Sequence, residues 1–498
     1  MTTFYITTAI DYANSTPHLG TAYEKIGADT IARYHRLLGK TVHFLMGNDE
    51  HSQNVRKKAQ ESGLDPKVYC DQMAQQFKNA WKELLISNDD FIQTTEPRHH
   101  QMVRELATRI YEKGFIYKAP YEGHYCISCE TFYQEKDLQD GLCPNHKTKP
   151  EWIREENYFF KLTAFSEKLK HLIQSERFIR PEARRNELLN VLEQGLQDVS
   201  ISRAETEWGI PLPFDESAVT YVWFDALINY ISAIGPIGSE LFNNCWPADL
   251  HVIGKDITRF HGLIWPAMLM AADLPVPQSI WAHGFISIKG EKMSKSRGNT
   301  ADPLVLAKTY GAETLRYHLM REVPWDKDGD FSEERLRLRY NADLANDLGN
   351  LLSRTIGMTL KYFGKTLSKP DTNPYKNFTD QVDACVESYH RRMSEYLISQ
   401  ALDEAFKIVT QANLFIGEHQ PWTMAKKPDE ETKLHALLFS CLQALATTGR
   451  LLLPVMPSKM ETLLEALGVK ISDNNPQIFN LDLKTPLFPR LETPNENT

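Results

Sequence analysis

Three short stretches of this chain carry side chains at spacings that chemistry can use. Near the N-terminus, STPHLGTAYEK (15–25) sets a proline, a histidine and a glycine just after a β-branched and aromatic run, Phe4–Thr8. A strand, a turn and a helix in that order commonly seat phosphate, because the first amides of a helix carry positive potential. Yet the chain has no GxGxxG and no GxxxxGKS/T, so a glycine cradle is not what would hold it. Much later, KGEKMSKSRGN (289–299) puts Lys292, Lys295 and Arg297 between two glycines. A charge run is often only a solvated face, but lysines on a loop can also neutralise a polyphosphate. The third stretch is Cys126-x2-Cys129 followed, after thirteen intervening residues, by Cys143-x2-His146. Two such knuckles close a tetrahedron around Zn²⁺ and leave no position open for water, so the zinc is expected to be structural, one per chain. Cys70, Cys245, Cys385 and Cys441 read as buried apolar residues.

The elements that must position these residues begin with a βαβ pattern: a strand at Phe4–Thr8, a helix over Ala22–Leu38 and a buried strand at Thr41–Met46. Such a unit implies parallel strands and a right-handed crossover. Helices are expected over Pro66–Leu85 and His99–Lys113. From Phe115 to about Pro213 cysteines, charges and aromatics replace that texture, as in an insertion. The α/β pattern resumes with VTYVWFDALINYISAI (219–234), a strand at Leu250–Ile253, a helix over Asp256–Met270 and a strand at Ser279–Ile288 turning at Lys289-Gly290. His18, Asp49, Asp256 and His283 all fall at or just after strand ends, where an open parallel sheet binds its ligands. Beyond about Leu336 the chain reads as helical, with long amphipathic runs at Val382–Leu414 and Thr432–Leu453.

Composition sets the outer limits. The 498 residues exceed one core and predict about three domains at ~150 residues each. No apolar run of ~18 residues implies a membrane span, and MTTFYITTAIDYAN lacks the basic and apolar regions of a secretion signal, so a cytoplasmic protein is expected. A net charge of −9 opposes non-specific nucleic-acid binding but leaves room for a local basic face.

PHLG followed by KMSKS across a split α/β region resembles the signature pair of class I aminoacyl-tRNA synthetases. Further stretches resemble the methionyl-tRNA synthetase family: AIDY (9–12), GNDEH (47–51), the cysteine spacing, YVWFDALINY (221–230), HVIGKDITRFHGLIWPAML (251–269), HGFISIKGEKMSKSRGN (283–299), NLLSR (350–354) and QPWTMAKKP (420–428). The resemblance spans nearly the whole chain. It implies an α/β fold class: a Rossmann-like (HUP-type) parallel-sheet catalytic domain split by a zinc-bearing insertion, then an α-helical bundle anticodon-binding domain. The boundaries expected are 1–115 and 216–290 for the catalytic halves, 116–215 for the zinc insertion, 291–335 for the KMSKS loop and stem contacts, 336–486 for the bundle and 487–498 for a flexible tail.

The activity implied is that of a methionine–tRNA ligase: methionine and ATP give methionyl-adenylate and pyrophosphate, and tRNA(Met), initiator included, receives the methionine. Catalysis is implied at His18, Thr21, Lys292 and Lys295, and ATP binding at Pro17, His18, Gly20, Thr21, His283, Gly284, Lys292, Met293, Ser294 and Lys295, with Mg²⁺ accompanying the nucleotide. Thr21 stands where the family usually has a second histidine, and a threonine hydroxyl is never cationic. Leu227 replaces a common proline, with little effect expected. Ile10, Tyr12, Asp49, Trp223, Ala226, Tyr230, Ile257 and His261 are implied to bind methionine. An aromatic-walled pocket suits a thioether, and Asp49 suits its ammonium. Asn350, Arg354 and Trp422 are implied for the anticodon, with Trp422 as a stacking platform. Arg335, Arg337 and Arg339 offer charge to the tRNA stem, although alternate positions do not share a helix face.

Three other readings compete. A cysteine enzyme of the same class would use its zinc to take the substrate thiol, which a four-ligand site cannot do. A non-catalytic tRNA-binding paralogue would have no use for KMSKS or Asp49. A nucleotidyl-transfer enzyme acting on a small molecule would not need the C-terminal set. The absence of a further C-terminal module predicts a monomer.

Overall fold

Every residue of Phe4–Thr8 (β1) is buried, as its apolar pattern requires. The computed structural model describes residues 3–492 except 127–130, 134, 145–146, 205–207, 289 and 293–300. Five further strands complete a parallel sheet: Val42–Asp49 (β2), Asp90–Gln93 (β3), Ile179–Arg180 (β4), Leu250–Gly254 (β5) and Ile280–His283 (β6). The order across the sheet is β3–β2–β1–β5–β6–β4. Asp11–Tyr12 continues the line of β1 along β2, opposite Asn48 and Asp49. β2 runs three residues beyond its expected end, so Asp49 itself is the tip of the strand.

The chain forms two compact units. One comprises Met1–Pro17, Gly39–Lys82 and Ile86–His283, and the other His18–Leu38, Glu83–Leu85 and Gly284–Thr498. The sheet lies in the first. The helix after β1 spans Leu19–Leu37, starting earlier than its apolar spacing indicated, and clusters with the second unit.

The expected insertion at 116–215 is not a separate body. Ile116–Cys126, Thr131–Tyr133, Glu151–Phe160 and Val199–Ser200 form an antiparallel sheet of their own. But β4 comes from the middle of this segment and pairs with β6 of the main sheet, Ile179 opposite Ile280. Phe160, Leu188, Ile201 and Leu212 share one core with Tyr5, Leu45 and Ile253. A two-residue edge strand is too short to read by periodicity.

In the second unit, the strand expected over Ser279–Ile288 is broken. Ile286–Ile288 leaves the main sheet and pairs instead with Glu291–Lys292 and Gly329–Phe331. The break falls at Gly284, where an added Cβ would meet the Lys327 carbonyl at 2.2 Å. The run Val382–Leu414 divides into helices Lys376–Ser394 and Ile398–His419, separated by Tyr396 at φ 61°. The flexible tail expected from residue 487 is anchored through 491. Leu487 and Phe488 are buried, Tyr340 Oη donates to Pro489 O (2.8 Å), and Asn341 exchanges hydrogen bonds with Leu491.

Two buried ionisable groups mark the helix Ala312–Glu322. Arg316 is fully buried and donates to Asp29 Oδ2 at 2.7 Å and to the carbonyls of Leu84, Pro454 and Val455, tying three parts of the unit together. His318 is 1 % exposed, and neither ring nitrogen has a hydrogen-bond partner among the described residues. Burial pushes its pKa down to about 4. The unfolded chain takes up this proton below about pH 6.5 while the folded chain refuses it until about pH 4, so stability is lost as pH falls through that window. Lowering pH from about 7 to about 5 is expected to remove about 2 kcal/mol through this group. Urea unfolding of His318→Leu should show a pH slope flatter by that amount.

Candidate active site

The polar chemistry of the first unit sits at the carboxyl ends of its strands. Asp49 ends β2 and is 3 % exposed. Ile10 and Tyr12 follow β1, and Ile257 closes the single 3-10 turn Lys255–Ile257 beyond β5. The helix expected over Asp256–Met270 is interrupted by a π turn at Phe260–Ile264 before Trp265–Ala271. Such widened turns are rare and gather at functional sites. Likewise, the helix through 223–230 is two pieces, Val222–Leu227 and Asn229–Ser232. Ile228 between them keeps right-handed helical angles, so Trp223, Ala226 and Tyr230 still share a face. One cavity is lined by Ile10, Tyr12, Asp49, Trp223, Ala226, Tyr230, Ile257 and His261, joined by Ala9, Leu227 and Asn229.

Its walls are held by ring packing and by one polar chain. Trp223 stacks on Phe260 (3.9 Å between centroids, 12° between planes), and Tyr12 meets Trp223 edge-on at 6.3 Å. His261 Nδ1 lies 3.0 Å from the Ile257 carbonyl, which only accepts, so that nitrogen carries the ring proton. Nε2 is left to accept the Tyr230 hydroxyl at 2.7 Å. Below, the Tyr230 ring stacks on His251 at 4.2 Å. Burial drives His251 well below its usual pKa and keeps it neutral. Trp265 Nε1 donates to its Nε2 (3.3 Å), and its Nδ1 meets Thr7 Oγ1 (2.7 Å). The cavity therefore has a polar tip and aromatic walls, and among the described residues Asp49 is the one carboxylate in its lining.

The second unit holds the histidine turn. His18 caps the helix Leu19–Leu37 through its ring, Nδ1 accepting from Gly20 N (3.1 Å) and Thr21 N (3.3 Å). Thr21 Oγ1 accepts from His18 N (3.0 Å) and donates to His18 O (2.8 Å), closing a reciprocal cap. In the neutral ring the proton thus sits on Nε2. The hairpin leading to the lysine loop turns at Gly290 (φ 74°) and is pinned by Asp330, whose Oδ1 accepts from Gly290 N and Ser287 Oγ, both at 2.9 Å. Lys292 ends that hairpin, while Met293, Ser294 and Lys295 lie outside the described residues. In the first unit, His283 is the last residue of β6 and is buried.

Comparison with known proteins decides the family. The family model for tRNA synthetases class I (M) matches residues 4–149 and 134–356. The Methionine--tRNA ligase of Thermotoga maritima is 44 % identical over 495 residues, covering 97 % of this chain and 78 % of that one. That of Synechocystis sp. is 42 % identical over 480 residues, covering 94 % and 90 %. Mycobacterium tuberculosis methionyl-tRNA synthetase in complex with methionyl-adenylate superposes with a TM-score of 0.94 at 38 % identity, covering 98 % of this chain and 100 % of that one. This chain belongs to the methionyl-tRNA synthetase family.

Two family-implied sets lie elsewhere. Of the four residues implied for zinc, Cys126 and Cys143 are buried and both adjoin Thr148. Cys126 Sγ lies 3.7 Å from its hydroxyl, and Cys143 N donates to its carbonyl at 2.8 Å. Lys147, at φ 56°, turns the chain sharply after Cys143 and donates back to its carbonyl. Cys129 and His146 lie outside the described residues, and among the described ones no three ligand side chains cluster. In the helical domain, Asn350 and Arg354 are exposed at the start of Asn350–Phe363, and Trp422 is 42 % exposed, so it is not a core residue. Arg335 and Arg339 each hold Glu322 through Nε at 3.0 Å. Arg335 and Arg339 are four residues apart in the helix Glu333–Arg339 and so share a face, which Arg337 does not.

Sequence reasoning missed three lining positions. Leu227, expected to matter little as a departure from the family, is part of the cavity wall. Ala9 and Asn229 flank residues already singled out, Asn229 standing three residues after Ala226 on the same helical face. Loss of the Tyr230 hydroxyl leaves His261 Nε2 without that donor. Tyr230→Phe is expected to raise the methionine KM about tenfold, as a buried hydrogen bond of ~1.4 kcal/mol would, with the KM for ATP unchanged. Steady-state pyrophosphate exchange checks both values.

Proposed function

We propose that this chain is a methionine–tRNA ligase, joining L-methionine to ATP and then to tRNA(Met), initiator included. The supporting observation is that the eight residues assigned to methionine by family resemblance line one cavity. In this reading Asp49 takes the substrate ammonium, a charge-assisted bond that no neutral residue replaces. The thioether lies among Tyr12, Trp223 and Tyr230, where sulfur–ring contacts are favourable. The Tyr230–His261 pair is internally bonded, its polar atoms committed to each other and to the Ile257 carbonyl. Among the described residues no cysteine lines the cavity, which disfavours a substrate thiol delivered to zinc.

The substrate carboxylate attacks the α-phosphorus of ATP. A carboxyl O–P bond forms, the bond from the α-phosphorus to the bridging oxygen breaks, and pyrophosphate leaves, with Mg²⁺ as the counter-ion of the phosphates. We assign Pro17, His18, Gly20, Thr21, His283, Gly284, Lys292, Met293, Ser294 and Lys295 to ATP. His18, with its proton on Nε2, donates to phosphate oxygens, and Thr21 serves through the cap that holds His18. Lys292 and Lys295 neutralise charge as it develops on the departing pyrophosphate. The 2′-hydroxyl of the terminal tRNA adenosine then attacks the methionyl carbonyl and AMP leaves.

Cys126, Cys129, Cys143 and His146 would hold Zn²⁺, which would serve as a structural ion stiffening the hairpin Ile116–Cys126/Thr131–Tyr133, with no part in bond making. Asn350, Arg354 and Trp422 would read the anticodon, Trp422 by stacking.

Two measurements test this reading. Exchange of labelled pyrophosphate into ATP should require methionine and not cysteine, and Lys295→Ala should slow it about a hundredfold while the methionine KM stays within about twofold. Equal losses in both would contradict the loop's role. Trp422→Ala should leave exchange unchanged but weaken tRNA charging, with the KM for tRNA up by about ten- to a hundredfold, the value of one stacked base.

A further inference from the structure

Just behind the cavity wall, the first unit buries a three-membered hydrogen-bonded bridge that the reaction does not consume. Asp225 is fully buried, its Oδ2 lying 2.6 Å from His51 Nδ1 and its Oδ1 2.5 Å from His99 Nε2. A carboxylate only accepts, so each oxygen receives one imidazole N–H. Burial alone would push the Asp225 pKa up. His51 first, and then His99, outweigh it and hold the carboxyl well below the usual carboxylate range. The other nitrogen of His99 meets Ser232 Oγ at 2.8 Å. His51 packs against the rings of His100 (5.3 Å) and Trp208 (5.5 Å), and Trp208 Nε1 donates to Glu50 O at 2.6 Å.

The bridge joins elements that the pocket needs at fixed separation. His51 stands two residues beyond Asp49, at the tip of β2. Asp225 lies between Trp223 and Ala226 in the helix Val222–Leu227, and Ser232 ends the next short helix. His99 comes from Pro97–Glu112, a helix long enough to stand on its own packing. Helices of six and four residues cannot hold themselves in place, since a single turn barely repays its nucleation. Apolar packing lets such a piece slide along its axis. A buried charge-assisted bond does not, because stretching it leaves a carboxylate exposed to a low dielectric.

We infer that the His51–Asp225–His99 bridge gauges the distance between Asp49, which takes the substrate ammonium, and the wall of Trp223 and Ala226, which takes its side chain. Asp225 is in this sense a positioning residue for amino-acid selection. The inference rests on the methionine reading of the cavity. With the gauge loosened, the pocket tolerates a side chain longer by one methylene, ethionine being the simplest probe.

The test is pyrophosphate exchange by the full chain, with Asp225→Asn, His99→Leu and His99→Gln, the last retaining a donor toward Asp225. Asp225→Asn and His99→Leu should raise the methionine KM by about ten- to a hundredfold, the worth of a hydrogen bond to a charged group, with the ATP KM within about twofold. The ratio of ethionine to methionine use should rise, and His99→Gln should recover most of both losses. If Asp225→Asn does not fold, the His99 pair alone decides. Unchanged KM values for both substrates, with kcat reduced in proportion to the folded fraction, would reduce the bridge to a structural element and overturn the inference. No methionine-dependent exchange by the unsubstituted chain would overturn the cavity reading and this inference together.

Discussion

The first unit is organised by the position of one strand. β1 is paired on both edges, with β2 and β5, and buried along its whole length. A strand so enclosed turns no face to solvent, so the polar side chains it carries must find partners inside, as Thr7 does with His251 of β5. Asp49, Tyr12 and Ile257 meet at the carboxyl ends of adjacent parallel strands, where an open sheet leaves a crevice for a ligand.

The pocket that results is selective by what it lacks as much as by what it holds. Its carboxylate sits at the strand tip, and several polar atoms of its wall are directed to protein partners: Tyr230 to His261, His261 to Ile257 and Asn229 Nδ2 to the Ala226 carbonyl, while Asn229 Oδ1 is buried with no partner among the described residues. A pocket with most of these hydrogen bonds internally committed offers a ligand mainly apolar and polarisable contact. That is the complement of an unbranched thioether, and it rejects side chains whose own polar groups would be left unmade.

Each unit also carries buried charge away from its surface, and in both cases the charge spans elements that apolar packing would leave loosely registered. Arg316 and Asp29 join helices far apart in sequence and collect the carbonyls of Leu84, Pro454 and Val455. Asp225 does the same for the pocket helices. Such groups are poor sources of net stability. Their value lies in directionality, since a charged bond has one acceptable geometry where a methyl contact has many.

The amino-acid sequence by itself determined which residue types meet. The parallel α/β architecture follows from alternating apolar runs, and the eight pocket residues from motifs whose spacing matches a family. Periodicity and motif spacing are local properties, readable along the chain. What only the tertiary structure decided is where the chain departs from regularity: the π turn at Phe260–Ile264, the divided helix around Ile228, the two-residue strand Ile179–Arg180 and the anchored segment 487–491. It also decided that Leu227 and Asn229 line the cavity and that Asp225 stands between two histidines 174 and 126 positions away in the chain. No pattern within a single window encodes them, because each is the compromise that packing imposes when elements distant in sequence compete for the same space.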